Sequence, residues 1–333
     1  MKRRTFLKDT AAAAAMLACF PAGLSGVERE KPRGRMERRA LGKTGRKLSI
    51  IGFGGLVLKN STPDQAAEWV RQAIEAGVNY FDVAPSYGNS EERLGPALEP
   101  YRRDVFLACK TGQRKKAEAA AELDRSLERL RTDYFDLYQL HAVTDLKDVD
   151  TILGAGGAIE AFEEARRAGK IRHLGFSAHS VEAAMALMER YEFDTILFPV
   201  SYATWHAGNF GPQVLETARK QRMGILALKA MAKCPWPKGA DRSAFPNCWY
   251  EPMTDPEEAR MGLRFTLSHP VTAAVHPAAP ECFRLALELA PKIKPLKKAE
   301  VAAIKEKAMG VAPLFRYPRN QQAAVDACQY FNV

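Results

Sequence analysis

Four polar side chains stand at the ends of successive apolar runs in this chain: Asp82, Tyr87, Lys110 and His141. Asp82 sits in a short β-rich run, 78–83 (V-N-Y-F-D-V), which Pro85 and Gly88 break before Asn89 and Ser90 cap a helix that starts near Glu91. Lys110 closes 104–110 (D-V-F-L-A-C-K), ahead of Thr111 and Gly112, and His141 closes 134–141 (Y-F-D-L-Y-Q-L-H). A carboxylate, a phenol, an ammonium and an imidazole are groups that hold and move protons. Taken singly, each has an ordinary reading, since a Tyr beside a turn often packs and a strand-end Lys or His is often a satisfied polar group. Four of them at the C-terminal ends of three successive strands share the sheet edge where alternating α/β chains build active sites.

The elements that must position these groups read as eight β-α units. Strands are expected near 48–53, 79–83, 104–109, 134–140, 171–176, 194–200, 223–228 and 271–275, with amphipathic segments such as 119–130, 158–167 and 256–267 between them. Eight such units favour closure into a single-domain α/β (β/α)8 TIM barrel over an open sheet. A further helix is expected over 297–309, followed by a tail with Phe315, Tyr317, Tyr330 and Phe331. Gly154-Ala155-Gly156-Gly157 is not a dinucleotide fingerprint, because it lacks the third spaced glycine and no strand leads into it; it reads as a loop and helix cap.

The first residues, M-K-R-R-T-F-L-K-D-T, then an alanine-rich run to Phe20, carry the signature of a twin-arginine (Tat) export signal over 1–26, with Arg3 and Arg4 as the pair. The competing reading is an amphipathic first helix. The apolar run is short of the ~20 residues a permanent membrane span needs. Met16-Leu17-Ala18-Cys19 bears a faint likeness to a lipoprotein cleavage box, with poor residues at its first two positions. A charged spacer, 27–35, leads into the domain at 36–333. The expected location is therefore periplasmic or otherwise exported, with the Tat machinery as a partner. The net charge of +10 is partly the leader's own, and no Lys/Arg run interleaved with aromatics suggests nucleic-acid binding. Beyond Cys19, the cysteines are Cys109, Cys234, Cys248, Cys282 and Cys328, an odd number with no C-x-x-C, which argues against a disulfide framework, a zinc site or an iron–sulfur cluster.

In this order and context, Asp82, Tyr87, Lys110 and His141 resemble the catalytic tetrad of the aldo-keto reductase family. The resemblance takes in 36–55 (M-E-R-R-A-L-G-K-T-G-R-K-L-S-I-I-G-F-G-G), the F-D-x-A-x-x-Y-G-x-x-E-x-x-L-G block, and 169–177 (G-K-I-R-H-L-G-F-S), within a span of about 36 to 290. It implies an oxidoreductase that interconverts a carbonyl and an alcohol by hydride transfer with NADP(H) or NAD(H). Tyr87 would be the general acid. A free Tyr, with a pKa near ~10, is a slow acid or base unless a cation favours its phenolate, and Lys110 is placed to be that cation. Asp82 would hold Lys110 charged and in position, and His141 would orient the substrate oxygen.

For the cofactor, the resemblance assigns Ser177 to the nicotinamide carboxamide, followed here by Ala178 and His179 in place of the usual Asn. The family's Gln after the sixth strand falls at Pro199, and the aromatic that stacks on nicotinamide falls at Leu228 or Lys229. After the eighth strand, V-H-P-A-A-P-E-C-F-R offers only His276 and Arg284 to grip the adenosine phosphate. His173, His206 and His269 have no ligand spacing and read as structural. Substrate choice, for a carbonyl or sugar-like molecule, falls to the loops: the insertion at 231–255 with Trp236, Phe245, Trp249 and Tyr250 reads either as the roof of an apolar or sugar-stacking pocket, together with Trp205, Phe210 and the aromatic tail, or as ordinary loop packing. The alternative reading is a barrel of this type acting as a binding or regulatory protein with little or no cofactor turnover.

Overall fold

The computed structural model describes residues 36–318. Its strands are β1 (Arg38–Ala40), β2 (Lys47–Ser49), β3 (Ile51–Gly54), β4 (Tyr80–Asp82), β5 (Phe106–Thr111), β6 (Phe135–Val143), β7 (Ile171–Ala178), β8 (Thr195–Pro199), β9 (Gly224–Leu228), β10 (Ala232–Pro235), β11 (Tyr250–Pro252) and β12 (Ala273–Val275). The helices are α1 (Pro63–Glu75), α2 (Ser90–Leu98), α3 (Lys116–Arg129), α4 (Leu146–Leu153), α5 (Ala158–Arg167), α6 (Val181–Arg190), α7 (Tyr202–His206), α8 (Pro212–Lys220), α9 (Pro256–Leu267), α10 (Pro280–Leu289) and α11 (Lys298–Met309).

Eight strands close in the order β12-β3-β4-β5-β6-β7-β8-β9, all neighbours parallel, with helices outside. This is the expected (β/α)8 barrel. Its strands are covered on both faces, so they are apolar runs without alternation; every residue of β5 and of β8 is buried. The helices start where the sequence caps them. Thr62 and Gln65 form a reciprocal capping box on α1 with Pro63 at its first position, and Asp255 accepts from the amides of Glu257 and Glu258 at the head of α9.

The expected first strand, 48–53, is two elements. β2 pairs antiparallel with β1 in a hairpin, and only β3 enters the barrel. The hairpin closes the N-terminal end. Leu41 and Leu48 are buried with Tyr80, Phe106, Leu137 and Leu226 in the inner core, and the amide of Lys43 donates to the Arg222 carbonyl just before β9. Gly42, at φ 50°, lies so close to the Arg222–Gly224 backbone that no side chain fits there. Gly154 caps the end of α4 and Gly157 the start of α5, so the glycine run is a helix–helix joint. The insertion at 231–255 contains the small antiparallel pair β10–β11, which its turn-rich composition hides. The export signal, the spacer, Cys19, Cys328, Tyr330 and Phe331 lie outside the described residues.

Candidate active site

Asp82 ends β4, Lys110 is the fifth residue of β5 and His141 lies near the end of β6, so parallel pairing brings all three to the C-terminal rim. A turn closed by the Tyr87 amide on the Ala84 carbonyl swings Tyr87 back over that rim. The Lys110 ammonium is buried. It donates to Asp82 Oδ1, to the Val83 carbonyl at 3.1 Å and to Tyr87 Oη at 3.4 Å. The rings of Tyr87 and His141 meet edge to face with centroids 5.7 Å apart, and His141 Nδ1 is 3.4 Å from Ser86 Oγ. All four groups therefore meet.

Two side chains that complete the cluster escape a reading of strand ends. Tyr80 Oη donates to Asp82 Oδ2 at 3.0 Å and Gln139 Nε2 donates to the same oxygen at 3.1 Å, both inside the barrel. Each stands two residues before Asp82 or His141 on its strand, so the two-residue period of a strand puts it on the same inward face. A third, Arg114, donates to the His141 carbonyl at 2.9 Å and pairs with Asp148, fixing the end of β6, where Ala142 takes a positive φ of 50°. Asn89 does not cap α2 with its side chain. Its Oδ1 accepts from the amide of Asn60 at 2.8 Å and so ties the loop after β3 to the Tyr87 turn, while Ser90 Oγ donates to the Tyr87 carbonyl at 2.7 Å.

Burial raises the Tyr87 phenol above its ordinary value, against the pull of Lys110, with Asp82 adding to the rise. The expectation that Lys110 leaves Tyr87 more acidic than a free phenol is thus reversed, because desolvation of the phenolate outweighs the neighbouring cation. Burial also pushes the Lys110 ammonium down, yet Asp82 and Tyr87 carry it above its ordinary value, so it stays charged. Burial, with Lys110 next, holds His141 well below the usual imidazole range and therefore neutral. In the tautomer where Ser86 donates to Nδ1, Nε2 carries the proton and is the nitrogen able to donate.

Asp82, Ser86, Tyr87 and His141 line a cavity of about 970 Å³ at the C-terminal end, with Lys110 reaching it through its bonds to Asp82 and Tyr87, large enough for a cofactor and a small substrate. Trp249 and Tyr250 line it; Trp236, whose Nε1 donates to the Cys248 carbonyl, and Phe245 stand behind them. Trp205 and Phe210 are not part of the roof, contrary to expectation. Trp205 packs on His269 and Phe265, and Phe210 stacks between Phe198 and Phe315. Phe315 in turn meets Trp249 and His179, so the tail buttresses the roof from outside.

The cofactor candidates divide. Ser177 is buried, and its Oγ accepts from the Ala142 amide at 2.8 Å, which leaves its own O–H to donate, as a carboxamide oxygen needs. Lys229 is on the cavity wall. His276 also lines the cavity, but its Nε2 accepts from the Gly54 amide at 3.0 Å and its Nδ1 meets the Pro277 carbonyl at 2.6 Å, so both nitrogens are committed to backbone. Arg284 is exposed on α10, away from the cavity, because Cys282, Phe283 and Ala286 take the inward face. Pro199 is buried at the end of β8 with no amide to offer. Lys229 and His276 thus line the cavity and Ser177 does not; its hydroxyl suits a nicotinamide carboxamide by its chemistry, and the two residues expected at the adenosine phosphate do not serve there.

Among the described residues, His173, His206 and His269 pack against aromatic rings, no group of three metal-ligating side chains exists, and no helix is long and apolar enough to cross a membrane. The described cysteines, Cys109, Cys234, Cys248 and Cys282, are free thiols.

An L-galactose dehydrogenase from Arabidopsis thaliana is 34% identical over 216 residues, 60% of this chain and 66% of that protein. The chain spans between 49% and 66% of the length of this and another curated relative. Among solved structures, the holo form of an aldo-keto reductase from Bacillus halodurans superposes with a TM-score of 0.66 at 24% identity, over 87% of this chain and 99% of that one. One from Klebsiella pneumoniae, in complex with NADP and acetate, has a TM-score of 0.64 at 21% identity, over 86% and 99%. The sequence pattern of the aldo/keto reductase family matches residues 50–247, a stretch holding Asp82, Tyr87, Lys110 and His141, and the chain belongs to this family of oxidoreductases.

Proposed function

We propose that the protein interconverts an aldehyde or ketone and the corresponding alcohol, with NADP(H) or NAD(H) as the redox partner and Tyr87 as the general acid. The observation that carries this reading is the buried Lys110 ammonium, bonded at once to Asp82 and to the Tyr87 hydroxyl on the floor of the cavity. In reduction, Tyr87 gives its proton to the carbonyl oxygen, and its raised pKa keeps it protonated at neutral pH until that oxygen gains charge. Lys110 then stabilises the phenolate, and Asp82, held by Tyr80 and Gln139, keeps Lys110 in place. Neutral His141 donates a hydrogen bond to the same carbonyl oxygen and orients it. The Ser177 hydroxyl would hold the carboxamide. A bound nicotinamide dinucleotide supplies the hydride to the carbonyl carbon, or accepts it in the reverse direction.

The name of the L-galactose dehydrogenase among the relatives supports a sugar-like carbonyl or polyol as substrate. The Arg3-Arg4 leader supports export, in which case the cofactor is acquired before a pathway that moves folded proteins. The commitment of His276 to backbone and the outward Arg284 favour a second reading, a binding protein with an idle tetrad. Titrating NADPH and NADH into the purified protein, followed by the fluorescence of Trp249 and Tyr250, separates the two. Saturable quenching with aldehyde-dependent oxidation of the dinucleotide is expected; no binding of either dinucleotide refutes the reductase reading in favour of the second.

A further inference from the structure

Lys229 is a cation without a counter-charge. It follows β9 in a left-handed conformation, φ 69°, and its Nζ lies 4.6 Å from the Tyr250 ring centroid and 4.9 Å from that of Trp249. Ring faces attract an ammonium but accept no full hydrogen bond from its three N–H groups. Among the described residues no carboxylate is within ion-pair distance of it, whereas Lys233, on the same loop, is held by Glu251 at 2.7 Å. The rings of Trp249 and Tyr250 face it, and the titratable groups that its charge influences are His141 from β6, His179 after β7 and Cys248 from the roof. None of these is an anion near neutrality, since burial pushes the Cys248 thiol up to about 11 and the Tyr250 phenol well above its ordinary value.

The ammonium lines the same cavity as Tyr87 and His141, over the ring of Tyr250, which lines it too. A pyrophosphate, the other anion a dinucleotide would bring, is separated from a nicotinamide ring by a ribose and so from Tyr87 and His141. We propose that Lys229 is an anion subsite for the substrate, and that the substrate is a carbonyl compound bearing a carboxylate whose oxygens supply the missing counter-charge. This rests on the reading of the site as a carbonyl reductase.

Burial brings the Lys229 ammonium down to about 8, so at pH 8 about half of the molecules carry it uncharged. A bound carboxylate favours the charged form, and binding at that pH takes up to about half a proton. Calorimetry of the full-length protein at pH 8, in buffers of different ionisation enthalpy, reads this directly with 4-methylbenzoate and its uncharged methyl ester as probes. Tighter binding of the acid than of the ester, with proton uptake for the acid alone, is expected; equal binding of acid and ester overturns the proposal without any variant.

Lys229→Met is expected to lose that uptake and to weaken the acid about 10- to 100-fold relative to the ester. Lys229→Arg should keep the preference for the acid but lose the uptake, because its guanidinium stays charged at pH 8. Equal binding of the acid by wild type and Lys229→Met overturns the proposal. So does a loss confined to NADPH affinity in Lys229→Met, which would give the ammonium to the dinucleotide. Turnover of methyl 4-formylbenzoate by the wild type is the separate check on the reductase reading: its failure beside intact proton uptake sinks that reading and supports the anion subsite.

Discussion

Replacing Lys110 by Met removes the one charge that both Asp82 and Tyr87 depend on, at nearly constant side-chain length. Across the 3.4 Å from Nζ to Tyr87 Oη, an effective dielectric of about 20 gives an attraction on the order of 5 kcal/mol for a full phenolate. With roughly half of that charge developed in the transition state, the loss is about 2–3 kcal/mol, or about 30- to 150-fold in rate. Asp82, now unpaired beside the phenol, deepens the loss by repelling the same charge. The substitution also strands a buried carboxylate with only Tyr80 and Gln139 as donors, which costs about 3–5 kcal/mol of stability. The assay is therefore steady-state aldehyde reduction at a temperature where circular dichroism shows the variant folded, beside a thermal melt. Adding Asp82→Asn removes the stranded charge, so the double variant should regain part of the melting temperature and none of the rate. A single variant within threefold of wild-type kcat, or a double variant with wild-type turnover, refutes the assignment of Lys110 as the stabiliser of the Tyr87 phenolate.

Tyr87→Phe should lower turnover at least ~10²-fold while NADPH affinity, read by fluorescence titration, stays nearly unchanged, since only the proton donor is lost. His276, buried and held to about 4, makes the fold acid-labile. As pH falls below the ordinary imidazole value the unfolded chain takes up a proton that the folded chain refuses, so stability declines from about pH 6.5 to about pH 4, by about 3 kcal/mol from this residue. Denaturant titrations across that window should show the slope, and His276→Gln should reduce it. For export, Arg3→Lys with Arg4→Lys should leave a folded, active protein in the cytoplasm while the wild type fractionates with the periplasm; wild type recovered unprocessed from the cytoplasm refutes export.

The barrel was legible because buried parallel strands are nearly unbroken apolar runs, and a polar residue that ends such a run, as Asp82, Lys110 and His141 do, announces the rim. Tyr80 and Gln139 were hidden by the same logic, since Tyr passes for an ordinary strand former and Gln139 lies within an apolar run whose two-residue period had not been traced from His141. Distance from the last strand alone brings Arg284 to the rim, whereas the helical period of Cys282, Phe283 and Ala286 turns it outward. The roof was half legible. Trp249 and Tyr250 line the cavity, but large aromatics from separate loops fill any nearby gap, and nothing in the order of residues says that Trp205 would choose His269 and Phe210 would choose Phe315. The sign of the Tyr87 shift was missed because a cation beside it is visible in a strand pattern and the depth of its burial is not.

Leu41 and Leu48 plug the barrel at the end opposite the cavity that Tyr87 and His141 line, so among the described residues that cavity is reached from the C-terminal end. If the proposed two-substrate reaction runs there, the reactant seated deeper is expected to bind first and leave last. A hairpin at the opposite end of the molecule from the chemistry thus bears on the order of the kinetic scheme: initial-rate and product-inhibition patterns are expected to be ordered and sequential, with Tyr87 reprotonated from the same end of the barrel at which the substrate enters.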